Sequence, residues 1–248
     1  MATSSTAPGK DFESVHYAVD VMAKDILSSL RKLNPDILIE FRQSYIGPLM
    51  RTYGNIFRGG DCPNDSHINR QEILTLRILS GNTAVHSDMI MWNYQEAAEE
   101  AAFQLTNIIF SVPQISIRYE LMPETHRRML TFYLDFWRNH KDTLLNGKMY
   151  YKDYHANYTY VSSTDESCVI GVVYGSSVAT ITDKRPETVI INATMNTELI
   201  LDNKIELGIR NIQVLDCMGN ILTDTSLPMS KGQHSVSIPI NGMLIMKG

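Results

Sequence analysis

The amino-acid sequence predicts an α/β region followed by an all-β region, and three observations carry that prediction. Strand-length apolar runs alternate with helix-length amphipathic segments four times between residues 36 and 146, the pattern of βα units around a parallel sheet. The run AVHSDMIMW (84–92) and its flanks are strongly apolar, as a parallel strand buried on both faces should be. After Gly147 the helical period disappears, and strand-like runs punctuated by Asp, Asn, Gly and Pro continue to residue 248.

Taken in order, residues 1–10 are small and polar and read as a disordered leader. Val15, Val19, Met22, Ile26, Leu30 and Leu33 recur at steps of three and four, which predicts a helix over 12–34. Asn34-Pro35 ends it, because proline disfavours helical geometry in the residue before it. DILIEF (36–41) and NIFRGG (55–60) are the first two strands. Ser66 opens a helix that runs to Leu79, with Ile68, Ile73, Leu76 and Leu79 apolar, and Ser80-Gly81-Asn82 closes it. The third strand is 84–92, followed by an alanine-rich helix from Tyr94 to Phe110 whose EAAEEAAF stretch (96–103) gives a solvated face. QISIRY (114–119) is the fourth strand. Pro123 suits the first turn of the next helix, where its missing N–H costs nothing. That helix reaches Asn146, with Met129, Leu130, Tyr133, Phe136, Trp137, Leu144 and Leu145 apolar and Gly147 as its C-terminal cap.

Beyond it, the runs MYYKDYHANYTYV, SCVIGVVYG, SVATIT, TVIINAT, NKIELGI, NIQVLDC, NILTDT, HSVSIPI and GMLIMKG predict an antiparallel β-sandwich. Cys217-Met218-Gly219-Asn220 reads as a hairpin turn with the glycine at positive φ. The predicted division is therefore 11–148 and 149–248, after the leader.

Composition narrows the function. A 44% apolar and 20% charged chain is an ordinary globular protein. The net charge of −5, without a clustered basic face, argues against a nucleic-acid partner. No run of about 18 apolar residues predicts a membrane span. The start MATSSTAPGKD lacks the features of a signal peptide, so the expected location is cytoplasmic. Three cysteines, Cys62, Cys168 and Cys217, are too few and of the wrong parity for a disulfide framework. Cys62 sits in a polar segment flanked by Gly and Pro, where it is either exposed or an incidental thiol.

Polar residues gather at the predicted strand ends. The first strand ends in Glu40, Arg42 and Gln43, then Tyr45; the second in Arg58-Gly59-Gly60-Asp61-Cys62-Pro63-Asn64-Asp65; the third carries His86 and Asp88, then Trp92; the fourth ends in Arg118. Two glycines between Arg58 and Asp61 suit a tight turn that brings a carboxyl group to a substrate. Asp65 is near enough in sequence to raise the pKa of Asp61 by repulsion; alternatively both are loop acids, one capping the helix that opens at Ser66. Glu40 and Arg42 lie on one side of an extended chain and either grip hydroxyls or pair with each other. Trp92 either stacks on a sugar or packs in the core. His86 and Asp88 share a face but lack a third ligand, so no metal is expected.

The stretches PDILIEFRQSYIGPLMRTYGNIFRGGDCPND (35–65), SGNTAVHSDMIMW (80–92) and FSVPQISIRYELMPETHRRMLTFYLDFWRNHKDTLLNGK (110–148) resemble the C-terminal half of melibiase-type α-galactosidases, glycoside hydrolase family 36. The resemblance runs from about Asp11 to Lys148. It implies that the fold is the C-terminal half of a (β/α)8 barrel, strands five to eight, followed by an antiparallel β-sandwich. Such enzymes release terminal α-linked galactose with retention, through two aspartates and a covalent intermediate, without a cofactor. The resemblance gives Asp61 the acid/base role and Arg58 a substrate contact, and it places Glu40 and Arg42 at the sugar hydroxyls; Asp65 and Trp92 join them as candidate substrate-binding residues from their position in the sequence alone. Gln43 and Tyr45 come next, in a stretch that departs from the commoner glycine-rich form of the motif.

In that register the fourth strand, with its Lys-x-Asp nucleophile motif, lies outside this sequence. One carboxylate cannot run a double displacement, so the chain alone is expected to be inactive or nearly so on α-galactoside oligosaccharides. Four strands of eight leave open edges, which implies self-association or a partner chain with the missing half. The alternatives are an inactive galactoside-binding or truncated remnant, an interaction role for the 149–248 sandwich, and α-N-acetylgalactosamine specificity.

Overall fold

A computed structural model describes residues 12, 14–42, 48–63, 65–175 and 178–248. The expected leader (1–10) and Gln43 and Tyr45 lie outside the described residues. The first region alternates helices and strands: α1 (Val15–Leu33), β1 (Glu40–Arg42), β2 (Ile56–Arg58), α2 (Ser66–Ser80), β3 (Ala84–Ile90), α3 (Ala98–Ile108), β4 (Val112–Ile115) and α4 (Glu124–Asn146). The four strands form one sheet in the order β1-β2-β3-β4, every pair parallel. The βα reading of this region therefore matches the observed sheet.

Strand limits differ from the sequence reading, for local reasons. Of 36–41, only the end pairs, because the Asn55 side chain takes the backbone of the preceding residues: its Oδ1 accepts from Ile39 N at 2.8 Å and its Nδ2 donates to Ile37 O at 3.1 Å. The fourth strand starts and ends earlier than expected, with a 3-10 turn at Tyr119–Leu121 after it. Pro113 is tolerated there because β4 lies at the edge of the sheet.

Strands dominate from Lys148 onward: β5 (Lys148–Lys152), β6 (Tyr160–Thr164), β7 (Cys168–Val173), β8 (Ala179–Ile181), β9 (Glu187–Asn192), β10 (Glu198–Asn203), β11 (Gly208–Leu215), β12 (Ile221–Met229), β13 (Gly232–Ser237) and β14 (Met243–Lys247). They form a seven-stranded sheet, β12-β11-β14-β9-β7-β6-β5, and a three-stranded sheet, β13-β10-β8. The antiparallel expectation needs correction, because β7 pairs with β9, and β8 with β10, in parallel. Between β7 and β10 the chain passes from one sheet to the other at each strand, so it re-enters each sheet in the same direction. Residues 203–209, expected as a strand, are mostly the connection from β10 to β11, and β10 itself matches no predicted run. The turn before β12 is as predicted: Gly219 has φ 81°, and Asp216 Oδ1 accepts from Met218 N and Asn220 N, each at 2.9 Å.

The middle strands of the seven-stranded sheet are covered on both faces, while the edge strand β12 is largely exposed. Ile170, Val172, Val189, Ile191 and Met243 join Met129, Leu130, Phe136 and Leu144 of α4 in one cluster, which continues to Phe57 and Ile73. The alternate residues Val173, Ile190, Leu244 and Met246 pack with Ala179, Ile181, Leu199 and Leu201 of the smaller sheet. The apolar core thus runs without a gap across residue 148. Arg77 ties the layers further, its Nη1 donating to Phe110 O and Leu144 O at 2.7 Å each.

α1 is different. It buries Leu27 and leaves Val15, Val19, Met22, Ile26 and Leu33 exposed. No helix among the described residues is long and apolar enough to cross a membrane.

Candidate functional site

The register of the parallel sheet sets Arg42, Arg58 and His86 side by side on β1, β2 and β3. β2 is buried along its whole length, so Arg58 at its C-terminal end is nearly out of solvent. A buried guanidinium needs an anion, and Asp88 supplies it: Arg58 Nη2 donates to Asp88 Oδ1, and Asp88 is fully buried. Asp88 is itself fixed from three sides. Its Oδ2 accepts from Cys62 N at 2.5 Å, its N donates to Asn69 Oδ1 at 3.1 Å, and its carbonyl accepts from Asn69 Nδ2 at 3.2 Å.

Asp61 lies in front of this pair. Its Oδ1 is 3.3 Å from Arg58 Nη2 and 3.4 Å from Arg42 Nη1, and its side chain is 66% exposed. The glycines before it serve a close approach rather than an unusual φ. A Cβ on Gly59 or Gly60 would stand 3.1 or 3.2 Å from the Glu72 carboxylate. Cys62 Sγ is 3.9 Å from Glu72 Oε2. Burial, then the Glu72 and Asp88 charges, push the Cys62 thiol up to about 12, so it is no ready nucleophile.

Glu40 and Arg42 do not pair with each other. Glu40 Oε2 lies 2.8 Å from His86 Nδ1, and Gln114 Nε2 reaches Glu40 Oε2 at 3.3 Å and His86 Nδ1 at 3.1 Å. Arg42 instead faces Asp61. The structure therefore brings Glu40, Arg42, Arg58 and Asp61 to one end of the sheet, with His86, Asp88 and Gln114 beneath them.

The other two sequence candidates have defined partners elsewhere. Asp65 caps α2, its Oδ1 accepting from His67 N at 3.1 Å and Ile68 N at 2.9 Å. Trp92 is half-buried against the core, and its Nε1 donates to His126 Nδ1 at 3.1 Å. His86 and Asp88 do not converge as ligands, since one pairs with Glu40 and the other with Arg58.

Sequence reasoning missed the supporting roles of Asp88, Asn69, Glu72 and Gln114. Asp88 left a usable signal: an acid inside an apolar strand requires a buried cation.

No protein-family model matches the chain, and no curated protein does. Solved structures do. A glycoside hydrolase family 36 α-galactosidase, AgaA, from Geobacillus stearothermophilus, in complex with raffinose, superposes with a TM-score of 0.55 at 15% identity, over 98% of this chain and 33% of that one. The galactosidase domain of an α-galactosidase–sucrose kinase, AgaSK, superposes with a TM-score of 0.51 at 9% identity, over 93% of this chain and 31% of that one. The chain shares its fold with a part of these proteins. It spans about a third of the length of each.

Proposed function

We propose that this chain supplies the acid/base side of a retaining, α-galactosidase-type site that acts on terminal α-galactosides, its parallel sheet being the second half of a (β/α)8 barrel. The observation that carries the reading is the position of Asp61, at the C-terminal end of a buried parallel strand, between Arg58 and Arg42 and near the Glu40–His86 pair. In barrels of this kind chemistry sits at that end of the strands. The likeness in fold to two galactosidases supports the substrate class.

In such a site Asp61 protonates the glycosidic oxygen as the bond to the anomeric carbon breaks, and a second carboxylate forms the glycosyl ester. Asp61 then takes a proton from the water that opens the ester. The two groups must stand about 5–5.5 Å apart. At these strand ends Glu40 pairs with His86, Asp88 with Arg58, and Asp65 caps α2. Glu72 stands behind Gly59 and Gly60, and in this reading the attacking carboxylate comes from a segment or partner outside the described residues. The exposed apolar face of α1 and the edge at β1, which no other described strand pairs, are the surfaces such a partner, or a second copy, would cover.

The test is calorimetric titration of galactose into the full chain, paired with p-nitrophenyl α-galactoside hydrolysis. Binding without turnover is expected, with binding weakened in Glu40→Gln and Arg42→Ala while melting is unchanged. A folded chain that binds no galactose would sink the reading. Turnover by the chain alone that vanishes in Asp61→Asn would overturn the assignment of the second carboxylate.

A further inference from the structure

Three side chains with metal-ligating atoms converge where α4 crosses the seven-stranded sheet, away from the strand ends just described. His140 comes from α4, Cys168 opens β7 and Glu187 opens β9. Cys168 and Glu187 are register partners on adjacent parallel strands, so both side chains leave the same face. The ligating atoms of all three lie within 4.8 Å of one another, and His140 Nε2 is 3.1 Å from Glu187 Oε2.

Neighbours hold each donor in a useful orientation. His140 Nδ1 is 2.9 Å from the Phe136 carbonyl, and the ring stacks on Phe136 with centroids 4.3 Å apart. The carbonyl at Nδ1 takes that N–H and fixes the ring, so that Nε2, which shares a proton with Glu187 in the metal-free site, is the nitrogen left to ligate once that proton is gone. Glu187 Oε1 is engaged by Lys247 Nζ at 3.1 Å, which leaves Oε2 facing the histidine. Cys168 N donates to Asp165 Oδ1 at 2.8 Å, and Asp165 also takes Ser167 N at 2.7 Å, fixing the start of β7.

We infer that His140, Cys168 and Glu187 bind one zinc-class divalent cation, with water as the fourth ligand. A sulfur, nitrogen and oxygen set suits zinc, whereas magnesium and calcium prefer oxygen throughout. Zn–S near 2.3 Å and Zn–N near 2.0 Å require donor separations of roughly 3.3–3.6 Å in a tetrahedron. The separations here, all within 4.8 Å, contract by up to about 1.5 Å on binding. The His140 and Glu187 side chains are 17% and 20% exposed, so the trio touches solvent. On binding, the thiol and His140 Nε2 each release a proton to solvent as the metal–sulfur and metal–nitrogen bonds form. The competing account makes the trio a fastener, with the thiol and imidazole hydrogen-bonded to Glu187; it predicts no metal uptake.

The experiment uses the full chain, stripped with a chelator and titrated with cobalt(II) and then zinc(II). One cobalt per chain is expected, with thiolate-to-cobalt charge-transfer absorption that zinc abolishes and Cys168→Ser removes. Glu187→Gln and His140→Gln should each weaken zinc binding by about 100-fold or more, while Cys62→Ser leaves it unchanged. Absence of the band in a folded chain would overturn the site, as would a band that survives Cys168→Ser or is lost in Cys62→Ser. If Cys168→Ser does not fold, the isosteric Glu187→Gln decides: unchanged affinity there also overturns it.

Discussion

α4 lays Met129, Leu130, Tyr133, Phe136 and Leu144 against the rest of the protein, whereas α1, 19 residues against 23, buries Leu27 and turns Val15, Val19, Met22, Ile26 and Leu33 to solvent. Both helices carry apolar residues at helical spacing, so their sequences make the same promise. The difference lies in the strand that each helix leads into. α4 leads directly into the seven-stranded sheet, whose strands cover its face. α1 leads to β1, which among the described residues pairs with β2 alone in the sheet. An amphipathic stripe thus records that a face is suited to burial, and only long-range packing supplies the cover. The same contrast separates two carboxylates of the candidate site, Asp88 in the covered interior and Asp61 in the open.

The largest effect should come from those carboxylates. Asp88→Asn leaves the Arg58 guanidinium buried without a full counter-charge and should cost about 3–5 kcal/mol of stability. Asp61→Asn removes a carboxylate that is two-thirds exposed and screened by water, and should cost no more than about 1 kcal/mol. Urea unfolding of the two variants measures both. A loss in Asp61→Asn larger than that in Asp88→Asn would show that Asp61, not Asp88, is the structural partner of Arg58, and equal losses would show that the two share the role.

The helices provide the next comparison. Leu144→Ala opens a cavity in the core shared by α4 and the seven-stranded sheet and should cost about 2–4 kcal/mol. Met22→Ala on α1 should change stability by less than about 0.5 kcal/mol at low protein concentration. A Met22→Ala loss that grows with concentration would show that self-association covers α1.

These contrasts mark how far the sequence can be read. The helices are legible because their signals are local: the apolar steps of α2, and Gly147 closing α4, need no knowledge of the rest of the chain. The four parallel strands are legible as a class, since each apolar run alternates with a helix. Their extents are not, because the Asn55 side chain intercepts the backbone before β1 and nothing nearby in sequence announces it. The parallel pairing of β7 with β9 is equally hidden, as it depends on β8 leaving for the other sheet. In the candidate site, Arg58 with Asp61 is legible at a spacing of three residues. The Glu40–His86 and Arg58–Asp88 pairs span strands, and require a register that no local pattern fixes.

The smallest effect compares two helix starts. The Asp65 carboxylate accepts two backbone N–H groups at the start of α2, whereas Ser14, at the same position of α1, makes no side-chain bond to its helix. A carboxylate there satisfies orphan donors and faces the positive end of the helix dipole. Asp65→Ala should therefore cost about 1 kcal/mol, and Ser14→Ala close to nothing. Thermal melts of both variants check this. The pair also bears on the site: if Asp65 acts only as a cap, Asp65→Asn, which keeps an accepting oxygen, should restore stability and leave galactose titration unchanged. A variant with restored stability but lost galactose binding would return Asp65 to the sugar subsite, because the cap would then be intact and only the charge missing.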